Sequence, residues 1–237
     1  MLDLSKIKAI SLDLDDTLWP VWPAIHRAEA ELLQWLRDHA PATARRYDST
    51  EALRAVREQL ERERPDLRHD LSAMRRESIR QALRASGDDG ALAEPAFEVF
   101  FAARQRVDLY EDALPALEQL AARFPLVALS NGNADVHRVG IGGHFSASFS
   151  AHLFGVAKPD PRIFHAAAQA VGVAPHEVLH VGDDALLDVV AAVDAGMQAV
   201  WLNRHGHAWE HATEPHLTVA DLGALSALWA TKSPSGR

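Results

Sequence analysis

Apolar and polar positions follow two different rhythms along this chain. Short, nearly continuous apolar runs occur at 7–13 (IKAISLD), 125–130 (PLVALS), 178–182 (VLHVG) and 198–202 (QAVWL). Runs of this kind belong to strands buried on both faces of a parallel sheet. Helical periodicity lies between them, over 113–123, about 160–171 and 185–195. Strand and helix thus alternate, which predicts an α/β fold with a doubly wound parallel sheet. Ligands of such sheets bind beyond the carboxyl ends of the strands. Asp13, Ser130 and Asp183 fall at those ends.

One long segment breaks the alternation. From about 22 to 106 the periodicity is helical throughout: Ile25, Leu32 and Leu36 share a face, as do Leu53, Val56 and Leu60, then Leu71, Met74 and Ala82, then Leu92, Val99 and Ala103. Pro41, Pro65 and Gly87 divide it into about four helices. The expected organisation is therefore a sheet-bearing core of residues 1–19 and 111–231, with a helical bundle over 20–110 inserted after the first strand. The crossings near Trp19–Pro23 and Val107–Asp112 would act as a hinge, and residues 232–237 are expected to be a disordered tail.

Composition narrows the picture. A 237-residue chain with 48% hydrophobic and 24% charged residues can bury a real core. It has no cysteine, which excludes disulfides and thiolate metal sites. No apolar run approaches the ~20 residues of a membrane span, and the N-terminus lacks the layout of a signal peptide. The expectation is a cytoplasmic protein with no membrane partner. A net charge of −9 argues against general nucleic-acid binding. The arginines are concentrated: 15 of the 24 basic residues are arginines between 20 and 110, where lysine is absent and 16 of the 33 acids lie. Most of these arginines read as solvated helix faces.

Four fragments near strand ends carry chemistry. In "ISLDLDDTLWP" (10–20), Asp13 and Asp15 are two residues apart at the end of a strand and can face one site. Two close carboxylates repel unless a cation or a shared proton relieves them. "SNGN" (130–133) is a short turn offering a hydroxyl, amides and backbone N–H groups. Lys158, one of four lysines, precedes Pro159 and a helix. "HVGDDALLD" (180–188) supplies Asp183 and Asp184, then Asp188 one turn later. Oxygen ligands without paired histidines suit Mg²⁺ rather than zinc, and an anion held by Mg²⁺, Lys158 and Ser130 is most simply a phosphate. The chain has no G-x-x-x-x-G-K-[ST] loop, so the phosphate need not come from ATP.

These fragments resemble, in order, the four motifs of the haloacid dehalogenase superfamily of phosphatases: "DLDDTLW", "LSNGN", "KPDPRIF" and "GDDALLD". The resemblance implies a Rossmann-like core with a helical C1-type cap. It implies that Asp13 is a nucleophile forming an aspartyl-phosphate and that Asp15 is the general acid, then the base. Mg²⁺ would be held by Asp13, the backbone carbonyl of Asp15, and Asp183, with Asp184 and Asp188 orienting neighbours. Ser130, Asn131 and Lys158 would bind the phosphoryl group, and Thr17 would tie the first loop. Asp16 reads as a turn former and Asp184 equally as a helix N-cap.

Related chemistries separate on single residues. A haloalkanoic acid dehalogenase needs neither Asp15 nor a metal, and a phosphonatase needs a cap lysine that residues 20–110 lack. A sugar-phosphate mutase or a nucleotidase would share all four motifs. A receiver-like phospho-acceptor, a different class, has no acid in the position of Asp15 and no helical insertion. "PLVALSNGNADV", "EVLHVGDDALLDVVAAVDAGMQAVWL" and "RHDLSAMRRESI" further resemble bacterial phosphatases acting on FMN and on the riboflavin precursor 5-amino-6-(5-phospho-D-ribitylamino)uracil. On that resemblance Trp19 or Trp22 would stack on a planar head, with His69 or Arg75 at its polar edge; the two tryptophans read equally as plugs for the gap between the helical insertion and the core. His205, His207 and His211 beside Glu210 read as an exposed loop before they read as a second metal site.

Overall fold

A computed structural model of the chain describes residues 1–229. The tail expected at 232–237 lies outside the described residues. The structure divides into two compact units. The first comprises Met1–Pro20, Leu109–Gly132 and the described residues from Val136 onward; the second comprises Val21–Asp108 and Asn133–Asp135.

The first unit is built on six parallel strands: β1 (Ala9–Leu12), β2 (Leu126–Ser130), β3 (Ala147–Ser150), β4 (Val178–Gly182), β5 (Gln198–Leu202) and β6 (Leu217–Val219), in the order β3-β2-β1-β4-β5-β6. Four of the strands are the apolar runs read from the sequence. The other two, β3 and β6, close the sheet edges. β1 is central, pairing Ile10 with Leu126 on one side and with Leu179 on the other. The order reverses at β1, so this is the switch point where a crevice opens beyond the strand ends. Helices surround the sheet because β1, β2, β4 and β5 are buried along their whole length. Ile163, Phe164 and Ala167, for example, bury against Val127, Leu129 and Val178.

The second unit contains five helices: α1 (Val21–His39), α2 (Pro41–Arg46), α3 (Thr50–Glu63), α4 (Leu71–Ser86) and α5 (Ala93–Arg104). Ser49 and Asp70 cap α3 and α4 by accepting from Ala52 and Ala73 N–H. Gly87 ends α4 with φ +85°, a left-handed position that a side chain would strain. The core of the unit is Leu32, Leu36, Ile79, Leu83, Phe97 and Phe100. Each such side chain contributes about 1.5–3 kcal/mol on burial. The periodicity predicted four helices; the structure separates Pro41–Arg46 as a fifth.

The remaining helices belong to the first unit: α6 (Ala113–Ala121), α7 (Val136–Val139), α8 (Ala151–Phe154), α9 (Pro161–Ala170), α10 (Ala191–Asp194) and α11 (Leu222–Ala227). Among the described residues no helix is long and apolar enough to cross a membrane.

Candidate active site

Strand ends bring the acids together. Asp13 follows β1 directly, and its N–H donates to Val181 O of β4 at 2.9 Å, so the two strands end in register. Asp183 follows β4, and its backbone oxygen accepts from Trp201 Nε1 of β5 at 2.9 Å. Asp188 comes from Ala185–Val190, a wide helical turn in which both Asp188 and Val189 N–H groups donate to Asp184 O. The wide turn carries Asp188 inward, where it is 1% exposed. Oxygen atoms of Asp13, Asp183 and Asp188 lie within 4.8 Å of one another.

One cation pairs with two of these acids. Lys158 Nζ lies 2.6 Å from Asp13 Oδ1 and 2.5 Å from Asp188 Oδ1. Burial alone would lower the Lys158 pKa, but the two carboxylates outweigh it and hold the ammonium charged. Burial pushes the Asp13 carboxyl well above the usual range, against the pull of Lys158 and with the push of Asp188 and Asp183. Burial likewise drives Asp183 up to about 7, helped by Asp188 and Asp16. Asp188 goes the other way: Lys158 and His180 overcome its burial and hold it at about 2. Three carboxylates against one ammonium leave an excess of negative charge that a divalent cation relieves.

The donor set fits a hard ion, since every converging ligand is a carboxylate oxygen. Asp188 already accepts from Lys158, His180 and the Asp184 N–H. Asp13 and Asp183 therefore retain more acceptor capacity for an ion.

His180, which the sequence presents as one more residue of a buried strand, extends this network. Its Nε2 is 3.2 Å from Asp188 Oδ1 and its Nδ1 is 2.8 Å from Ser11 Oγ. Burial holds the imidazole pKa below its ordinary value. A carboxylate cannot donate, so Nε2 carries the proton toward Asp188 and Nδ1 accepts from the Ser11 hydroxyl. A hydrogen-bonded chain thus runs Ser11–His180–Asp188–Lys158–Asp13 through the centre of the sheet.

The first loop is held from several sides. Asp16 takes φ +58°, a left-handed turn that aspartate tolerates, and its N–H donates to Trp19 O at 2.7 Å. Thr17 Oγ1 donates to Asp183 Oδ1 at 3.2 Å, which ties this loop to the acids. Trp19 corrects one expectation. It is fully buried and donates Nε1–H to Asp15 Oδ1 at 2.8 Å, so it orients a carboxylate and has no face for a ligand.

Two glycines make room. A Cβ at Gly132 would come within 2.4 Å of Asp15 Oδ2, and one at Gly182 within 2.2 Å of the Asp188 carboxyl carbon. Ser130 Oγ accepts from Gly132 N–H at 2.9 Å, which leaves the hydroxyl proton to be donated. Asn131 differs from expectation: its amide accepts from Lys158 N–H at 2.8 Å and donates to Lys158 O at 2.9 Å. Its side chain clamps the lysine backbone instead of facing an anion. Asp184 is the N-cap of the wide turn, accepting from Leu186 and Leu187 N–H.

The residues expected to choose a substrate lie in the helical unit. Trp22 is 55% exposed and His69 half-buried. Arg75 is buried, paired with Glu29 at 3.3 Å, and its guanidinium sits 4.2 Å over the Phe100 ring. In the first unit, His205 and His207 are exposed on the loop after β5. Among the described residues the group of possible ligands that converges is the acidic one.

Comparison with known proteins places this geometry in a family. The model of the haloacid dehalogenase-like hydrolases matches residues 7–196. The 5-amino-6-(5-phospho-D-ribitylamino)uracil phosphatase YigB of Escherichia coli is 35% identical over 233 residues, 95% of this chain and 97% of that one. The phosphoserine phosphatase of Thermus thermophilus is 37% identical over 150 residues, 61% of this chain and 60% of that one. Among solved structures, a 2-haloacid dehalogenase from Pseudomonas syringae superposes with a TM-score of 0.87 at 38% identity, covering 94% of this chain and 98% of that one.

Proposed function

The chain belongs to the haloacid dehalogenase-like hydrolase family and to its phosphatase branch, and on that premise we propose that it hydrolyses a small phosphate monoester through an aspartyl-phosphate on Asp13. The observation that carries the reading is the convergence of Asp13, Asp183 and Asp188, with Lys158 paired to Asp13 and Asp188. Asp13 Oδ attacks phosphorus as the bond to the leaving oxygen breaks, and Asp15 gives that oxygen its proton. Water then gives a proton to Asp15 and attacks phosphorus, releasing phosphate and restoring the Asp13 carboxylate. Two displacements replace one difficult step. Lys158 and the Ser130 hydroxyl stabilise the charge on the phosphoryl oxygens.

Mg²⁺ is the proposed cofactor, held by Asp13, Asp183 and the Asp15 backbone carbonyl, where it would neutralise the acids and polarise a phosphoryl oxygen. Trp19 and Gly132 fix the Asp15 carboxylate, and Asn131 fixes Lys158.

The proposed substrate carries a planar nitrogen heterocycle, either FMN or 5-amino-6-(5-phospho-D-ribitylamino)uracil. Support comes from the E. coli relative and from the aromatic and cationic lining of the helical unit. A dehalogenase reading has the Pseudomonas structure in its favour, but it gives Asp15 and its Trp19 and Gly132 supports no task. The test is a panel of FMN, the uracil ester, a nucleotide, a sugar phosphate and L-2-chloropropionate, run with Mg²⁺ and with EDTA. Phosphate release that EDTA abolishes and Mg²⁺ restores is expected; halide release without metal would overturn the reading.

A further inference from the structure

The loop after β5 is the stretch of the first unit that the catalytic reading leaves without a task. It is an ordered turn built around Asn203. The Asn203 N–H donates to Val219 O of β6 at 2.8 Å, and its side-chain amide donates to His207 O at 2.8 Å and accepts from His207 N–H at 2.9 Å. The turn leaves His205 and His207 exposed and sends Arg204 inward, where its side chain is 12% exposed.

The Arg204 guanidinium makes three kinds of contact at once. Nη1 and Nη2 donate to the two Asp112 oxygens at 3.1 and 2.9 Å, and Nη2 also donates to Thr17 O at 3.0 Å. Its Cζ lies 4.0 Å from the centroid of the Tyr110 ring. Tyr110 N–H in turn donates to Leu18 O at 2.9 Å. Two consecutive carbonyls of the first loop, Thr17 and Leu18, are therefore held by one stacked pair. Asp112 is itself anchored, accepting from Leu222 N–H at 2.6 Å. A fork that meets a carboxylate and lies on a ring is a geometry lysine cannot reproduce.

What Arg204 grips is the tether of Asp183. Thr17 Oγ1 donates to Asp183 Oδ1 at 3.2 Å, and Asp183 O accepts from Trp201 Nε1 at 2.9 Å. Trp201 and Arg204 both come from the end of β5. One reaches Asp183 through its backbone, the other through Thr17. Asp183 needs such support, because its oxygens lie within 4.8 Å of those of Asp13 and Asp188 and like charges push it away. Groups that orient a ligand in this way set metal affinity without touching the metal.

We propose that Arg204 is a positioning residue of the candidate metal site: by fixing Thr17 it holds the Asp183 carboxylate in place for a divalent cation. This gives the loop after β5 its role, with Arg204 and not the histidines as the working residue. The inference rests on the Mg²⁺ reading above and deepens it. Charge and position make opposite predictions for its removal. Deleting a cation near three acids would, by Coulomb's law alone, tighten the binding of Mg²⁺. Deleting the grip on Thr17 O relaxes the Asp183 tether and weakens it.

The experiment titrates Mg²⁺ calorimetrically into wild type, Arg204→Met and Arg204→Lys. Lys8→Met, which breaks an exposed ion pair with Glu177 in the same unit, is the control. Denaturant midpoints are measured with and without Mg²⁺. Arg204→Met should raise the Mg²⁺ Kd about tenfold or more, with a smaller rise in Arg204→Lys and none in Lys8→Met. The gain in midpoint that Mg²⁺ gives wild type should shrink in the same order. A merely structural role would lower both midpoints together and leave that gain intact. Unchanged or tighter Mg²⁺ binding in Arg204→Met overturns the assignment. Should that variant fail to fold, Arg204→Lys decides by the same titration, and wild-type affinity there refutes it. If wild type itself binds no Mg²⁺, the metal reading fails and the assignment falls with it.

Discussion

Each unit buries a cluster of charges, and the two clusters are opposites. At the strand ends, Asp13, Asp183 and Asp188 converge, and one ammonium, Lys158, pairs with Asp13 and Asp188. In the helical unit, Arg54 and Arg75 share one carboxylate, Glu29, and Arg57 pairs with Glu61. Buried ion pairs rarely repay the cost of desolvating them, so neither cluster is explained by stability. In the helical unit each of these guanidinium groups has a carboxylate partner, whereas the acidic cluster carries an excess of one sign, and that excess states what the site lacks. The acidic cluster calls for a cation, with Lys158 and the 130–132 turn left to meet a phosphoryl group. The contrast sets a charge excess against a paired network, and substitutions can test the two separately.

Asp13→Asn should have the largest effect on turnover, a loss on the order of 10⁴ or more as expected for a nucleophile. It should leave the far-ultraviolet circular dichroism unchanged, because it removes charge from an over-acidic cluster. Glu29→Gln is its counterpart. It strands Arg75 and Arg54 without a counter-charge and should destabilise the protein by about 3 kcal/mol, read as a lower denaturant midpoint. A midpoint equal to wild type would mean that the helical cluster is solvated in solution. His180→Leu keeps the strand apolar but removes the donor to Asp188 and the acceptor for Ser11. A fall of about tenfold in kcat with KM nearly constant is expected; a change confined to KM would contradict its place in the acidic network. The smallest effect belongs to Trp19→Phe, which deletes one hydrogen bond to Asp15 and should cost about 1 kcal/mol in the barrier, a fewfold drop in kcat with the fold retained.

The sequence exposed the acidic cluster better than the basic one for a physical reason. Carboxylates at the ends of continuous apolar strands are conspicuous, because a core rejects them unless they work. Asp13, Asp15 and Asp183 stand out on that ground, and β1, β2, β4 and β5 do so by hydrophobicity. The edge strands are short, and β3 (ASFS) has no apolar run to announce it. His180 sits inside a strand whose neighbours are all apolar, so it reads as core until the bond to Asp188 is visible. Trp19 and Asn131 look like ligand contacts because their types suit one, whereas their partners, Asp15 and the Lys158 backbone, are set by tertiary folding. Arg54 lies on a helix rich in charge, where one arginine resembles the next. Only the packing of α1, α3 and α4 shows that it shares Glu29 with Arg75. The inclusion of Asn133–Asp135 in the helical unit is invisible for the same reason, since no local pattern marks a segment that docks far along the chain.

The central claim is that Asp13 carries the phosphoryl group, and trapping it tests the claim most directly. In Asp15→Asn, p-nitrophenyl phosphate needs no acid for its leaving group, so Asp13 can still be phosphorylated while the second step has lost its base. Hydroxylamine added to the quenched, denatured protein converts an acyl-phosphate to a hydroxamate, which mass spectrometry of the peptide locates. The account predicts the modification at Asp13, absent without p-nitrophenyl phosphate and absent in Asp13→Asn. Phosphate release by the wild type with no modification of Asp13 in the trapped variant, or with modification at another carboxylate, would contradict it.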